Sequence, residues 1–108
     1  MVGFSIITPF YNGNMYIGNI YNAFQKNKES LLKAFPDSFV ELIIVNDSPD
    51  IKVELTDALG DNEVRILTHD KNVGIHQARI TGLLASRGDY ILFLDQDDEV
   101  ADDFLLRQ

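Results

Sequence analysis

The sequence predicts an α/β protein with three layers, in which helices cover both faces of a mainly parallel sheet. Four short apolar segments rich in β-branched residues alternate with helix-like segments along the 108 residues. The apolar segments are nearly unbroken, which is typical of strands buried on both faces. Clusters of Gly, Pro, Asn and Asp mark the turns between elements. The predicted order is therefore βαβαβαβ, followed by the beginning of another helix.

The elements are placed by their apolar periodicity and by the residues that stop them. Strands are predicted at 4–8, 40–45, 64–68 and 90–94. Helices are predicted at 15–35, with Asn14 as the N-cap, at 53–59, at 74–86 and from about residue 101 onward.

The third predicted helix carries a stripe of small residues, Ala78, Gly82 and Ala85. A glycine inside a helix costs about 1 kcal/mol relative to alanine. We therefore expect Gly82 to allow close packing of this helix on the sheet.

Length and composition narrow the function classes. A chain of 108 residues suits one domain, 1–108, and is too short for two. Nine basic against seventeen acidic residues give a net charge of −8, which disfavours non-specific nucleic-acid binding. The absence of cysteine excludes disulfides, thiolate zinc sites and a cysteine nucleophile.

No apolar run approaches the roughly 20 residues of a membrane helix, so we expect a cytoplasmic protein. For the full-length protein, a location at the inner face of the membrane stays open as well, because a membrane anchor could lie outside these residues.

Polar residues follow every predicted strand at the point where it ends. In an open parallel sheet, ligands bind at the carboxyl ends of the strands. The segments that meet there are 9–12, 46–47, 69–74 and 95–98.

The acidic segment 95–98 is the most informative of these. Asp95, Asp97 and Asp98 place three carboxylates within four residues, and they need a compensating charge. Mg²⁺ and Mn²⁺ prefer such hard oxygen ligands together with substrate phosphates. The alternative is a solvated acidic turn in which Asp98 caps the next helix. The position after a buried strand favours the metal.

Three other residues are candidates for nucleotide contacts. Asp47 is placed to accept the imide N–H of a uracil ring, and its alternative is a loop or cap aspartate. Tyr11 has a ring on which a base could stack, and its alternative is a partly buried aromatic residue of the loop. The Arg79 guanidinium could contact the base or a phosphate, and its alternative is a surface ion pair. His69 and His76 have no carboxylate or second histidine at metal-ligand spacing and are interpreted as loop and helix-surface residues.

The chain resembles family 2 glycosyltransferases over its whole length. The matching segments are 5–12 (SIITPFYN), 42–48 (LIIVNDS), 72–74 (NVG) with Ala78, Arg79 and Gly82, and 94–98 (LDQDD). Four segments in the right order, each on the expected element, make the resemblance specific.

The resemblance implies the GT-A fold and an inverting, metal-dependent transfer from a nucleoside-diphosphate sugar, with UDP favoured. It implies that Thr8, Pro9 and Tyr11 line the base pocket and that Asp47 reads the base. It also implies that Asp95 and Asp97 form the DxD pair that binds Mn²⁺ or Mg²⁺, with Asp98 near the ribose or the metal. Asn46 stands where the family often has a second Asp, and residues 48–50 replace the usual Gly-Ser, so these departures leave the choice of base open. Guanosine and thymidine sugars stay open because both bases also carry an N–H that Asp47 could read.

The part of the protein that binds the sugar acceptor is expected outside residues 1–108. The family's general base is an Asp or Glu in a later part of the chain, and nothing matching that part is present. We therefore expect a donor-binding part that stops before the acceptor-binding half and is inactive alone. The acceptor would be a saccharide or a lipid-linked saccharide. With its outer neighbour absent, the strand at 90–94 is expected to be an exposed sheet edge that pairs with a second copy, which gives a homodimer or a larger aggregate. The competing expectation is that the helix after Ala101 covers part of the same edge.

Other α/β families fit less well. A receiver domain or a haloacid-dehalogenase-type phosphatase places its acids after the first strand, where this chain has none. A dinucleotide-binding domain needs Gly-x-Gly-x-x-Gly, which Gly13 and Gly18 do not make. The remaining alternative is a non-enzymatic nucleotide-binding or assembly module with the same fold.

Overall fold

A computed structural model describes residues 2–53 and 63–97. The elements are β1 Gly3–Phe10, α1 Ile17–Ala34, β2 Phe39–Asn46, β3 Val64–Thr68, α2 Ile75–Ala85 and β4 Tyr90–Phe93. A short 3-10 turn, Asn14–Tyr16, leads into α1. The predicted helix at 53–59 lies outside the described residues except for Val53, which is buried and not helical. The last predicted helix lies wholly outside them.

The four strands form one parallel sheet in the order β3-β2-β1-β4. One apolar cluster joins the sheet to α1 through side chains such as Ile20, Phe24 and Leu42. A second joins it to α2 through Ile7, Ile43 and Ala78. The two clusters lie on opposite faces because neighbouring residues of a strand point to opposite sides. The predicted three-layer α/β architecture is confirmed.

Gly82 packs against the sheet as predicted. A Cβ atom built on Gly82 would lie 2.3 Å from Ile7 Cγ2 and 3.3 Å from Val45 Cγ2. Any larger residue would therefore push α2 away from the centre of the sheet.

β1 is longer than predicted, because it continues through Pro9 to Phe10. The Ile7 carbonyl accepts from the Leu94 N–H, so alternate residues Ile7 and Pro9 face the β4 side. Pairing with β4 ends at Ile7. Pro9 lies beyond the end of that ladder. Its lack of an N–H therefore costs no hydrogen bond to β4.

The prediction that Asn14 caps α1 is wrong. No side-chain cap bond is made at the start of the 3-10 turn or of α1. Instead, Asn14 Nδ2 donates to the Lys52 carbonyl at 2.9 Å. The side chain thus ties the first loop to the segment after β2.

A fully buried glutamate, Glu41, interrupts the apolar face of β2 that packs toward α2. Its carboxylate accepts from Ser5 Oγ at 2.6 Å, from the Arg87 N–H at 2.6 Å and from Arg65 Nη2 at 2.9 Å. Burial raises the pKa of Glu41, but the Ser5, Arg87 and Arg65 interactions outweigh it and lower the pKa below 4.5. Glu41 therefore holds the α2–β4 connection to the sheet as an ionised group.

Candidate functional site

The carboxyl ends of the four parallel strands meet at one edge of the sheet and surround a cavity of about 390 Å³. The cavity is lined by Pro9, Phe10, Tyr11, Tyr16, Asp47, Asn72, Gly74, Ile75, Ala78, Asp95, Gln96 and Asp97. Of the predicted site residues, Pro9, Tyr11, Asp47, Asp95 and Asp97 are thus brought together.

Two predicted residues take other positions, and one cannot be placed. Thr8 is fully buried in β1, does not line the cavity, and its Oγ1 has no partner among the described residues. Arg79 lies on α2 and pairs with Asp95. Asp98 lies outside the described residues.

Gln96, which the sequence did not single out, connects the loops after β1 and β4. Its Oε1 accepts from the Tyr11 N–H at 2.8 Å, and its Nε2 donates to the Tyr11 carbonyl at 3.1 Å. A Cβ atom on Gly13 would lie 2.4 Å from Gln96 Oε1, so a glycine there permits this approach. The middle residue of the Asp-x-Asp segment therefore positions Tyr11, a residue that is 58% exposed.

The Asp47 carboxylate is buried at the end of β2 and is held by three donors. Its Oδ1 accepts from the Val73 N–H at 2.9 Å and from His69 Nδ1 at 2.8 Å. Its Oδ2 accepts from the Gly74 N–H at 2.8 Å. Burial raises the pKa of Asp47, but the bonds from His69, Val73 and Gly74 outweigh it and lower the pKa below 3.8.

Gly74 has a backbone conformation that suits its role in this contact. Its φ of 97° lies in the region that residues with a side chain rarely adopt. This conformation directs its N–H to Asp47 immediately before α2 begins.

From sequence, His69 was interpreted as a loop residue with no carboxylate or second histidine at metal-ligand spacing. It does lie in a loop, but its ring has partners that the sequence did not indicate. It follows β3 directly, and its ring lies between Asp47 and Thr81, 22 and 12 residues away along the chain. Position at a strand end was the one signal that pointed to it, since the partners are distant in sequence. His76 is exposed on α2, as predicted.

Arg79 Nη2 donates to both oxygens of Asp95, at 2.9 and 3.2 Å. Both side chains are about one-third exposed, at 37% and 36%. The ion-pair alternative for Arg79 is therefore the one observed, and such exposed pairs add only modestly to stability.

Asp95 and Asp97 supply hard oxygen donors to the cavity. Across residues 2–53 and 63–97, no group of three or more metal-ligating side chains is present. Two carboxylates nevertheless fit a Mg²⁺ or Mn²⁺ ion whose remaining ligands are water and substrate phosphates. The donor set thus suits a metal that binds together with a diphosphate.

The sequence model of glycosyl transferase family 2 matches residues 5–108. The chain belongs to this family. It is 38% identical over 99 residues to the uncharacterized glycosyltransferase EpsJ of Bacillus subtilis (strain 168), with 90% of this chain and 26% of that protein covered. It is 32% identical over 104 residues to the glycosyltransferase GlyG of Streptococcus pneumoniae serotype 4, with 94% and 32% covered. The chain therefore spans about a quarter to a third of the length of these family 2 relatives.

Solved structures agree with the family assignment. Two crystal structures of S. aureus TarS 1-349, one of them in complex with UDP, match this chain with a TM-score of 0.77 and 25% identity. The matches cover 99% of this chain and 31% and 30% of those chains. The fold is that of GT-A glycosyltransferases. Within the described residues, no helix is long and apolar enough to cross a membrane.

Proposed function

We propose that the strand-end cavity binds a uridine-diphosphate sugar together with a divalent metal, as the donor site of an inverting glycosyltransferase. The acceptor is a saccharide or a lipid-linked saccharide, and the reaction takes place in the cytoplasm or at the inner face of the membrane. The observation that carries the proposal is the Asp47 carboxylate, which is buried, ionised and held at the wall of this cavity.

Hydrogen-bond accounting at Asp47 supports recognition of a base. Each carboxylate oxygen accepts about two hydrogen bonds. Among the described residues, Oδ1 has two donors, whereas Oδ2 has one, the Gly74 N–H. One acceptor position on Oδ2 is thus available to a ligand. The imide N–H of uracil suits it, whereas cytosine presents an acceptor at the same ring atom.

The walls of the cavity suit the rest of a nucleoside. The exposed Tyr11 ring offers a face on which a base stacks. Pro9, Ile75 and Ala78 add apolar surface to the lining of the cavity. A complex in which the base lies between Tyr11 and Asp47 uses all of these groups.

Asp95 and Asp97 would hold the metal beside the diphosphate, with Asp98 as a further candidate ligand. When bound, such an ion neutralises the charge that develops on the leaving diphosphate. Arg79 holds Asp95 in place through its ion pair. The bond from the sugar C1 to the phosphate oxygen then breaks as an acceptor hydroxyl attacks C1 from the opposite side, and a general base takes the hydroxyl proton.

The general base is not assigned to any residue of this chain. Positioned bases contribute typically about 10²–10⁴-fold to rate. Residues 1–108 alone are therefore expected to bind the donor without efficient transfer.

Calorimetric titration with UDP, CDP, GDP and TDP, in Mn²⁺ and after chelation, tests the donor site. UDP should bind in Mn²⁺ and much more weakly in chelator, and CDP should bind at least about tenfold more weakly than UDP because Asp47 repels its ring acceptor. Asp97→Asn should lose the metal dependence, whereas Asp37→Asn, at an exposed position between α1 and β2, should retain it. Equal UDP affinity with and without metal, or equal affinity for UDP and CDP, would contradict the proposal.

A further inference from the structure

The His69 ring connects the base-reading residue to α2. Its side chain is only 15% exposed, and it lies immediately after β3. Nδ1 is 2.8 Å from Asp47 Oδ1, and Nε2 is 2.8 Å from Thr81 Oγ1. Both ring nitrogens are therefore engaged.

The proton on Nδ1 follows from the state of Asp47. An ionised carboxylate can only accept hydrogen bonds. Because the pKa of Asp47 is lowered by its donors, the carboxylate is ionised near neutral pH, and Nδ1 must carry a proton to bond it. This assigns the Nδ1–H form to neutral His69, whereas a histidine free in solution favours Nε2–H.

Thr81 can serve either protonation state of the ring. Its Oγ1 lies 3.0 Å from the Gln77 carbonyl as well as 2.8 Å from His69 Nε2. A hydroxyl has one proton and two acceptor positions. With neutral His69, Thr81 donates to Nε2; with charged His69, it accepts from Nε2–H and donates to the Gln77 carbonyl. Nδ1–H stays on Asp47 in both cases.

We propose that His69 is a positioning residue for base recognition, which fixes the Asp47 carboxylate so that Oδ2 faces the base. The proposal rests on the proposed donor site at Asp47. The backbone donors of Val73 and Gly74 come from one segment before α2, whereas His69 approaches from β3. Removing the His69 donor would leave the carboxylate with one backbone donor on each oxygen, both from the same short segment. Asp47 would then be less firmly fixed and would discriminate less well against a wrong base.

The first test is the protonation pattern of the ring, measured by nitrogen-15 NMR of the imidazole groups in the absence of nucleotide. His69 should show a proton on Nδ1 at mildly alkaline pH. The exposed His76 serves as the internal control and should show mainly the Nε2–H form. An Nε2–H form at His69 would overturn the proposal.

The second test compares substitutions that keep or remove the donor to Asp47. The side-chain amide of His69→Asn places an N–H near the Nδ1 position, whereas His69→Leu has no donor. The ratio of UDP to CDP affinity should fall about tenfold in His69→Leu, as expected for the loss of a hydrogen bond to a charged group. It should stay within about threefold of the wild-type ratio in His69→Asn. His76→Leu should leave it unchanged.

The outcomes separate this proposal from the donor site itself. UDP binding with an unchanged UDP to CDP ratio in His69→Leu would overturn the role of His69 and leave the donor site standing. No UDP binding by the wild-type chain would overturn both. If His69→Leu does not fold, His69→Gln replaces it, because its longer amide reaches toward Thr81 rather than Asp47. That variant should also lose the preference, and a preserved preference would contradict the proposal.

Discussion

At the scale of single residues, the acceptor character of Asp47 determines which base fits. Asp47→Asn keeps the size of the side chain but replaces one oxygen by an amide that donates. Two donors converge on Oδ1, so the amide oxygen is expected to stay there. The NH₂ group then takes the place of Oδ2, where it meets the Gly74 N–H and faces the cavity.

The expected result for Asp47→Asn is weaker UDP binding by about tenfold or more, with CDP weakened less or improved. A donor in this position repels the uracil imide N–H and suits the cytosine ring nitrogen. Competition titrations with the two nucleotides measure the ratio. Asp70→Asn, the same change at an exposed position in the β3–α2 loop, is the control and should leave the ratio unchanged. A uniform loss of both nucleotides in Asp47→Asn would indicate that Asp47 supports the loop without reading the base.

At the scale of elements, Glu41 connects three parts of the chain that the sequence keeps far apart. It accepts from Ser5 on β1, from Arg65 on β3 and from Arg87 after α2. Removing one partner of a buried charged network leaves the others unpaired, which commonly costs 3–5 kcal/mol. Glu41→Gln should therefore lower the free energy of unfolding by about 3 kcal/mol, measured by urea denaturation at neutral pH. Glu29→Gln on the exposed face of α1 should change little.

The same carboxylate predicts acid sensitivity. Because the folded pKa of Glu41 lies below 4.5, its ionised form stabilises the fold above that pH. This contribution is lost as the pH falls through the lowered pKa. The difference in unfolding free energy between the wild-type chain and Glu41→Gln should therefore narrow below pH 4.5. A constant difference down to the acid transition would show that Glu41 acts through packing alone.

Much of the element pattern could be predicted from sequence, because apolar runs and small residues report directly on burial. β3 was predicted with its observed limits, and the packing at Gly82 follows from the cost of a glycine inside a helix. The meeting of Asp47 with Asp95 and Asp97 follows from strand order, since parallel strands end at one edge. The partners of Glu41 and His69 could not be predicted in this way. Those contacts depend on the relative position of side chains that are 12 to 46 residues apart along the chain.

At the scale of the whole molecule, β4 pairs with β1 on one side and with no described strand on the other. Tyr90 and Phe93 are 60% and 41% exposed, and β4 contains no Lys or Pro to discourage pairing. We propose that two copies of β4 pair around a two-fold axis and continue the sheet across both chains. Light scattering at micromolar concentration should then report a dimer, which Phe93→Lys should dissociate. Leu84→Lys, at an exposed position on α2, should leave the dimer intact. A wild-type monomer over that range would contradict the proposal and indicate that another segment covers β4.

The central proposal is that one cavity reads uracil through Asp47 and binds a divalent metal through Asp95 and Asp97. The most direct measurement is a crystal structure of the chain with UDP and Mn²⁺, with data collected for the anomalous signal of manganese. The predicted result is an anomalous peak bonded to a carboxylate of the 95–98 segment and to the diphosphate, with the uracil imide N–H on Asp47 Oδ2. Uracil bound away from Asp47, or a manganese peak away from these aspartates, would contradict the proposed site.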